Sequence, residues 1–167
     1  MTIPVVAIVG QSGSGKTTLI CGVLPILKAH GYRVATIKHD VHGFELDTPG
    51  KDTWKHAHAG ADIVVISSRE KFALLERVVE ELTLDQVIAR ITNVDLILVE
   101  GYKHNDKPKI EVFRASVHAA PLCSFQQDLL AIVSDVMPTL GVPVFSLDDY
   151  EGVVSLLEEK IVKLEEK

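Results

Sequence analysis

The chain has 167 residues, 47% of them hydrophobic and 24% charged, with a net charge of −6. Those proportions exclude a disordered chain, and the absence of a long basic run excludes an electrostatic nucleic-acid surface. Two cysteines, Cys21 and Cys123, stand far apart with no C-x-x-C spacing, which argues against a disulfide framework and a cysteine zinc site. No apolar segment reaches membrane-spanning length, and the N-terminus carries no basic leader or cleavage signal. The expectation is a cytoplasmic protein with no membrane or nucleic-acid partner.

The first element is the apolar run Val5-Val6-Ala7-Ile8-Val9, predicted as a strand. It enters Gly10-Gln11-Ser12-Gly13-Ser14-Gly15-Lys16-Thr17-Thr18, which has the spacing G-x-x-x-x-G-K-T, and a helical pattern follows at once. Strand, glycine-rich loop and helix in that order are the signature of a phosphate-binding loop. The glycines allow backbone conformations that a Cβ would obstruct, so that successive N–H groups turn inward around phosphate oxygens. The helix adds the positive end of its dipole at the same place. Lys16 is expected to reach the β- and γ-phosphates, and the Thr17 hydroxyl to ligate Mg²⁺. A chance glycine-rich turn would not carry the full spacing together with these flanks.

Leu19, Ile20, Val23, Leu24 and Leu27 then recur at helical spacing, with Pro25 expected to kink the helix near Cys21 and Gly31 to close it. Residues 32–38 read as a second strand, placed parallel by the short helical crossover. Residues 39–60 form a long polar stretch with four histidines, in which Phe44, Leu46 and Trp54 are expected to pin the chain and 53–59 to form a short helix. A buried strand is predicted over 61–67. Residues 72–79 are ambiguous between strand and helix, and Leu84, Val87, Ile88 and Ile91 form a short helical face. Strands follow over 95–103, 110–113, 129–133 and 142–145, and a final helix from about residue 150 presents Val153, Leu156, Leu157, Ile161 and Leu164 on one face. The fold class is therefore α/β. A single P-loop NTPase-type domain spans residues 1–167, its mostly parallel sheet flanked by helices and extended by a small antiparallel piece.

Ligands of an open parallel sheet lie beyond the carboxyl ends of its strands. Two acids are predicted there. Glu100 ends the buried run Leu96-Ile97-Leu98-Val99 in the Walker-B position and is expected to act on the metal through water. Asp40 ends the second strand, where it either binds magnesium through water or orients an attacking water, or else simply caps its loop. His39 and His42, and His56 and His58, lack the i, i+4 spacing of a helical metal site, so transition-metal binding is disfavoured. A phosphate- or partner-binding role through Lys38, His39, Lys51 and His56 suits this loop better. The guanine-reading Asn-Lys-x-Asp sequence is absent. Asp148 and Asp149 either accept from a guanine edge or cap the last helix, which leaves the base open.

The phosphate loop combines with Lys38-His39-Asp40-x-His42, Asp47-x-Pro49-Gly50-Lys51-Asp52-Thr53, Ala59-Gly60-Ala61 and Val99-Glu100-Gly101-Tyr102-Lys103. With these blocks the chain closely resembles the MobB family of molybdopterin-guanine dinucleotide biosynthesis proteins along nearly its whole length. The resemblance implies a GTP- and Mg²⁺-binding protein with weak GTPase activity, usually a homodimer. It implies a role assisting the guanylyltransferase MobA in molybdenum cofactor maturation, and leaves open whether molybdopterin itself is a ligand. Carried over by position, Gly10, Gly13, Gly15, Lys16 and Thr17 would bind phosphate and Mg²⁺, with Asp40 and Glu100 near the metal.

The alternative from the residues is an ATP-dependent P-loop small-molecule kinase. It is disfavoured because the arginines (Arg33, Arg69, Arg77, Arg90, Arg114) are scattered rather than gathered into a lid. A metallochaperone GTPase would need a clustered Cys or His site of convincing spacing. Low intrinsic turnover is expected, since an arginine finger from a partner is worth about 10³–10⁵ in rate. The apolar stretches 72–79 and 110–113 are candidates for edge-to-edge pairing in a dimer, against an antiparallel extension within one subunit.

Overall fold

The computed structural model describes residues 3–102, 105–123 and 128–165, with side chains as far as residue 159. Its elements are β1 (Val5–Val9), α1 (Lys16–Ala29), β2 (Val34–Lys38), α2 (Asp52–His58), β3 (Ile63–Ser67), β4 (Phe72–Glu76), α3 (Leu84–Ile88), β5 (Leu96–Glu100), β6 (Lys109–Phe113), β7 (Leu129–Ser134), β8 (Val144–Phe145) and α4 (Tyr150–Glu165). They divide between two compact units, residues 40–87 and the remainder of the chain.

The larger unit is an all-parallel sheet in the order β2-β5-β1-β6-β7-β8. Its central strands are buried on both faces, as parallel strands generally are, and residues 96–99 have no exposed surface. On one face Val6, Ile8, Leu96, Leu98, Ile110 and Val112 pack with Leu19, Ile20, Val23 and Leu27 of α1 and with Val153, Val154 and Leu157 of α4. The predicted apolar stripes of both helices thus form the core, although Ile161 and Leu164 lie beyond the described side chains. Helix α1 runs on through Pro25. It ends where Gly31, at φ 95°, donates to Lys28 O and Tyr32 donates to Leu27 O. This paired bonding past a left-handed glycine is a Schellman closure, with Tyr32 packed on the core. The two helices meet at Gly22, where a Cβ would stand 2.4 Å from the Tyr150 ring.

The smaller unit contains α2 and the antiparallel pair β3–β4, in register from Ile63 opposite Glu76 to Ser67 opposite Phe72. The ambiguous 72–79 stretch is therefore a strand in its first five residues. Three expectations are corrected. The strand over 61–67 is not buried, since Ile63 and Val65 are about half exposed and only Val64 is enclosed. Phe44 and Leu46 are 70% and 76% exposed, so they do not pin the polar loop. Finally, the 110–113 stretch is no edge: β6 lies between β1 and β7 with every residue buried, and it offers nothing to a second subunit.

Candidate functional site

The loop of residues 10–18 leaves β1 and forms a turn whose glycines carry positive φ, at 140° for Gly10, 78° for Gly13 and 105° for Gly15. Gly10 is required twice over. Its φ is unfavourable for an L side chain, and a Cβ there would stand 2.4 Å from Val112 O and 2.8 Å from the Ser14 hydroxyl. Ser14 itself is buried, and its hydroxyl has no hydrogen-bond partner among the described residues. Gly15 is the N-cap of α1; no side chain caps the helix and its first turn contains no acid. The helix start therefore combines N–H donors, a positive dipole end and the adjacent Lys16, the setting that a phosphate group fits. Lys16 Nζ donates to Gln11 O at 2.9 Å, which folds the side chain over the loop.

Glu100, at the end of β5, meets this helix start directly. The Thr17 hydroxyl lies 2.9 Å and 3.0 Å from the two oxygens of the Glu100 carboxylate. A hydroxyl and a carboxylate are the hard oxygen donors that Mg²⁺ takes, so the pair predicted from 83 residues apart in sequence fits that ion. Lys38 Nζ, across the β2–β5 register, is 3.7 Å from Glu100 Oε1. The chain around the carboxylate is held by a specific conformation. His39 donates its N–H to Glu100 O at 2.9 Å, Gly101 takes φ 103° and Tyr102 takes φ 49°. The His39 ring stacks on Tyr102 at 4.1 Å. A Cβ on Gly101 would approach the His39 Cβ to 3.1 Å, which accounts for glycine after the acid. Lys103, the last residue of this block, lies outside the described residues.

Asp40 opens the smaller unit, and its Oδ1 accepts the His42 N–H at 2.9 Å, a loop-capping bond. Lys51 precedes α2 as its N-cap, and His56 lies exposed within that helix. Asp149 caps α4 by accepting the Gly152 N–H at 3.0 Å, while Asp148 accepts the Ser146 hydroxyl at 2.8 Å. Of the two uses considered for Asp149, the structure displays the cap. Among the described residues, no cluster of three or more His, Cys, Asp or Glu side chains is arranged to hold a metal.

Sequence reasoning missed two residues. Arg114 Nε donates to Ser14 O at 3.0 Å, and His118 Nε2 lies 3.3 Å from Ser12 O. Both follow β6, which the parallel pairing with β1 carries alongside the loop. Their available signal was position, since each comes just after a strand end, but which strand neighbours β1 is not written in the local sequence.

The sequence profile described as "MobB: Molybdopterin guanine dinucleotide synthesis protein B" matches residues 5–135. The chain belongs to the MobB family. It is 36% identical over 166 residues to the molybdopterin-guanine dinucleotide biosynthesis adapter protein of Escherichia coli (strain K12), covering 96% of this chain and 95% of that one. The Haemophilus influenzae adapter protein is 36% identical over 135 residues, covering 80% of this chain and 75% of its own. A crystal structure of molybdopterin-guanine biosynthesis protein B superimposes with a TM-score of 0.76 at 33% identity, covering 94% of this chain and 98% of that one. The structure of Bacillus subtilis MobB does so with a TM-score of 0.75 at 28% identity, over 95% and 98%. This member of the MobB family has a role in molybdopterin guanine dinucleotide biosynthesis, and the matched span includes the phosphate loop, Asp40, Glu100 and Arg114.

Proposed function

We propose that this MobB-family chain binds GTP with Mg²⁺ and hydrolyses it weakly, serving as the nucleotide-dependent adapter of the guanylyltransferase MobA. The observation that carries this reading is the Thr17 hydroxyl set against both Glu100 oxygens at the mouth of a glycine-rich loop bearing Lys16. Residues 10–18 hold the phosphates. Thr17 would ligate the metal, and Glu100 and Asp40 would act on it through water, Asp40 giving up its cap to His42 to do so. A bound Mg²⁺ would supply charge to offset the phosphate oxygens, to which Lys16 would turn from the Gln11 carbonyl.

Guanine is favoured because the relatives carry names of a step that makes a guanine dinucleotide. A chain that binds its nucleotide without fast turnover suits an adapter, whose two nucleotide states differ in affinity for a partner. The exposed apolar face of β3–β4, with Ile63, Val65, Phe72 and Leu74, supports a homodimer, and molybdopterin is a further ligand to be tested. A cytoplasmic location accords with the absence, among the described residues, of a helix long and apolar enough to cross a membrane.

Calorimetric titration of the full chain with GTP, GDP and ATP in the presence of Mg²⁺ tests the reading. Preference for GTP and GDP over ATP is the expected result. Preference for ATP would replace the reading with that of a small-molecule kinase, and absence of binding by any nucleotide would overturn both.

A further inference from the structure

We propose that Arg114 is a phosphate-contacting residue of this site, serving the oxygens of the α- and β-phosphates on the flank opposite the metal. The proposal rests on the nucleotide-binding reading and adds a residue to it. Strand β1 has a different neighbour on each side, and polar groups reach the loop from both. From β5 comes Glu100, against Thr17. From β6, on the other side, comes Arg114.

The arginine is fixed from several directions. Its own carbonyl accepts the N–H groups of Val117 and His118, both at 3.0 Å. The next residue, Ala115, donates to Asp135 Oδ1 at 2.9 Å. Its Nε donates to Ser14 O, and one terminal nitrogen lies 3.4 Å from where a Cβ on Gly15 would stand. The guanidinium therefore borders Gly15, the residue that caps α1. A guanidinium has five N–H donors. Among the described residues one of them is engaged, by a neutral carbonyl, and no carboxylate pairs with the half-buried charge. A planar fork with donors to spare beside a helix N-terminus matches a phosphate group, to which arginine binds through two parallel hydrogen bonds.

The loop backbone decides which phosphate. The N–H groups of such a loop cradle the α- and β-phosphates, while its lysine reaches the β- and γ-phosphates. Arg114 is bonded to that backbone at Ser14 and borders Gly15, so it serves phosphates that GDP and GTP share. A Mg²⁺ held by Thr17 and Glu100 would lie on the other, β5, side. Arg114 is thus no arginine finger for the γ-phosphate, and its presence is compatible with slow hydrolysis.

The test compares the full-length wild type with Arg114→Ala and Arg114→Lys, each titrated with GDP and with GTP in Mg²⁺. Arg114→Ala should weaken both nucleotides by a similar factor of about 10–100. Arg114→Lys, which retains the charge and one donor, should recover part of the loss. The loss should shrink as salt rises from about 0.05 to about 0.5 M, because a contact between charges in a half-open site is screened. The melting temperature of the nucleotide-free Arg114→Lys protein should match the wild type. Binding by Arg114→Ala equal to the wild type would overturn the proposal while leaving nucleotide binding intact. So would a loss confined to GTP, or a salt-independent loss in both variants accompanied by a lower melting temperature, which would make Arg114 a strut for the loop. If the wild type bound neither nucleotide, the functional reading itself would fall.

Discussion

At the scale of single residues, the site depends on places where a side chain is forbidden as much as on places where one is required. Gly10 must lack a Cβ because the β6 carbonyl at Val112 occupies that space. Gly22 must lack one because Tyr150 covers it. Replacing Gly22 by alanine adds the helix preference of alanine, worth about 1 kcal/mol, but forces the ring away from its packed position, which costs about 1–3 kcal/mol. Gly22→Ala should therefore lower the stability measured by urea unfolding, and a Gly22→Ala, Tyr150→Ala double variant should lose less than the sum of its single changes. Lys16 lies in the opposite situation, half-buried at the first position of α1 with its ammonium folded onto Gln11 O. Lys16→Ala should abolish measurable GTP binding with the melting temperature little changed. A Lys16→Ala protein that bound GTP as the wild type does would remove that residue from the site.

At the scale of elements, β6 shows how a central strand can carry charge. Lys109 and Glu111 are each 1% exposed, yet both are satisfied. The Lys109 ammonium donates to Asn105 O at 2.7 Å, to Lys107 O at 3.1 Å and to the Asp128 carboxylate. The Glu111 carboxylate accepts the N–H groups of Leu122 and Cys123 at 2.6 and 2.8 Å, which holds the chain beyond the Arg114 turn against the sheet. Glu111→Gln sets an amide donor against one of those N–H groups and should cost about 2 kcal/mol in denaturant unfolding.

The same latch governs a thiol. Burial, reinforced by the Glu111 carboxylate, pushes Cys123 up to about 11 from its ordinary 9.0. The folded chain thus holds this proton more tightly than the unfolded chain does. The stability it contributes is complete below pH 9.0 and is lost as pH rises towards about 11. Unfolding measured across that window should fall less steeply for Cys123→Ala than for the wild type. Identical slopes would show that the thiol does not titrate with folding.

At the scale of the whole molecule, the two units differ in how they treat apolar surface. The larger one encloses its sheet on both faces, whereas β3–β4 displays Ile63, Val65, Phe72 and Leu74 on one face. A contiguous exposed apolar face of this kind generally marks an association site. Sedimentation at micromolar concentration should give a dimer for the wild type and a monomer for Val65→Asp combined with Phe72→Asp. A wild-type monomer would dismiss the homodimer.

The geometry of the candidate site was legible in the local sequence, because a glycine-rich loop that opens a helix is built by consecutive residues. The spacing of residues 10–18, the helix behind it and the acid ending an apolar run are short-range facts. The stripes of α1 and α4 could likewise be read, since period and burial go together within one helix. Strand order could not be read. Nothing local in residues 110–113 distinguishes an edge from the middle of a sheet, and nothing in 63–67 says that Val64 alone is enclosed, because both depend on which distant segments pack there. Arg114 is the clearest instance: in the chain it is one arginine among several, and only the pairing of β6 with β1 brings it to Ser14. What the sequence by itself determined was the glycine-rich loop opening a helix and the acid that ends an apolar strand, because both are patterns of contiguous residues. What only the tertiary structure decided was which other side chains lie against that loop, because neighbours across a parallel sheet are set by long-range hydrogen bonding that no local pattern encodes.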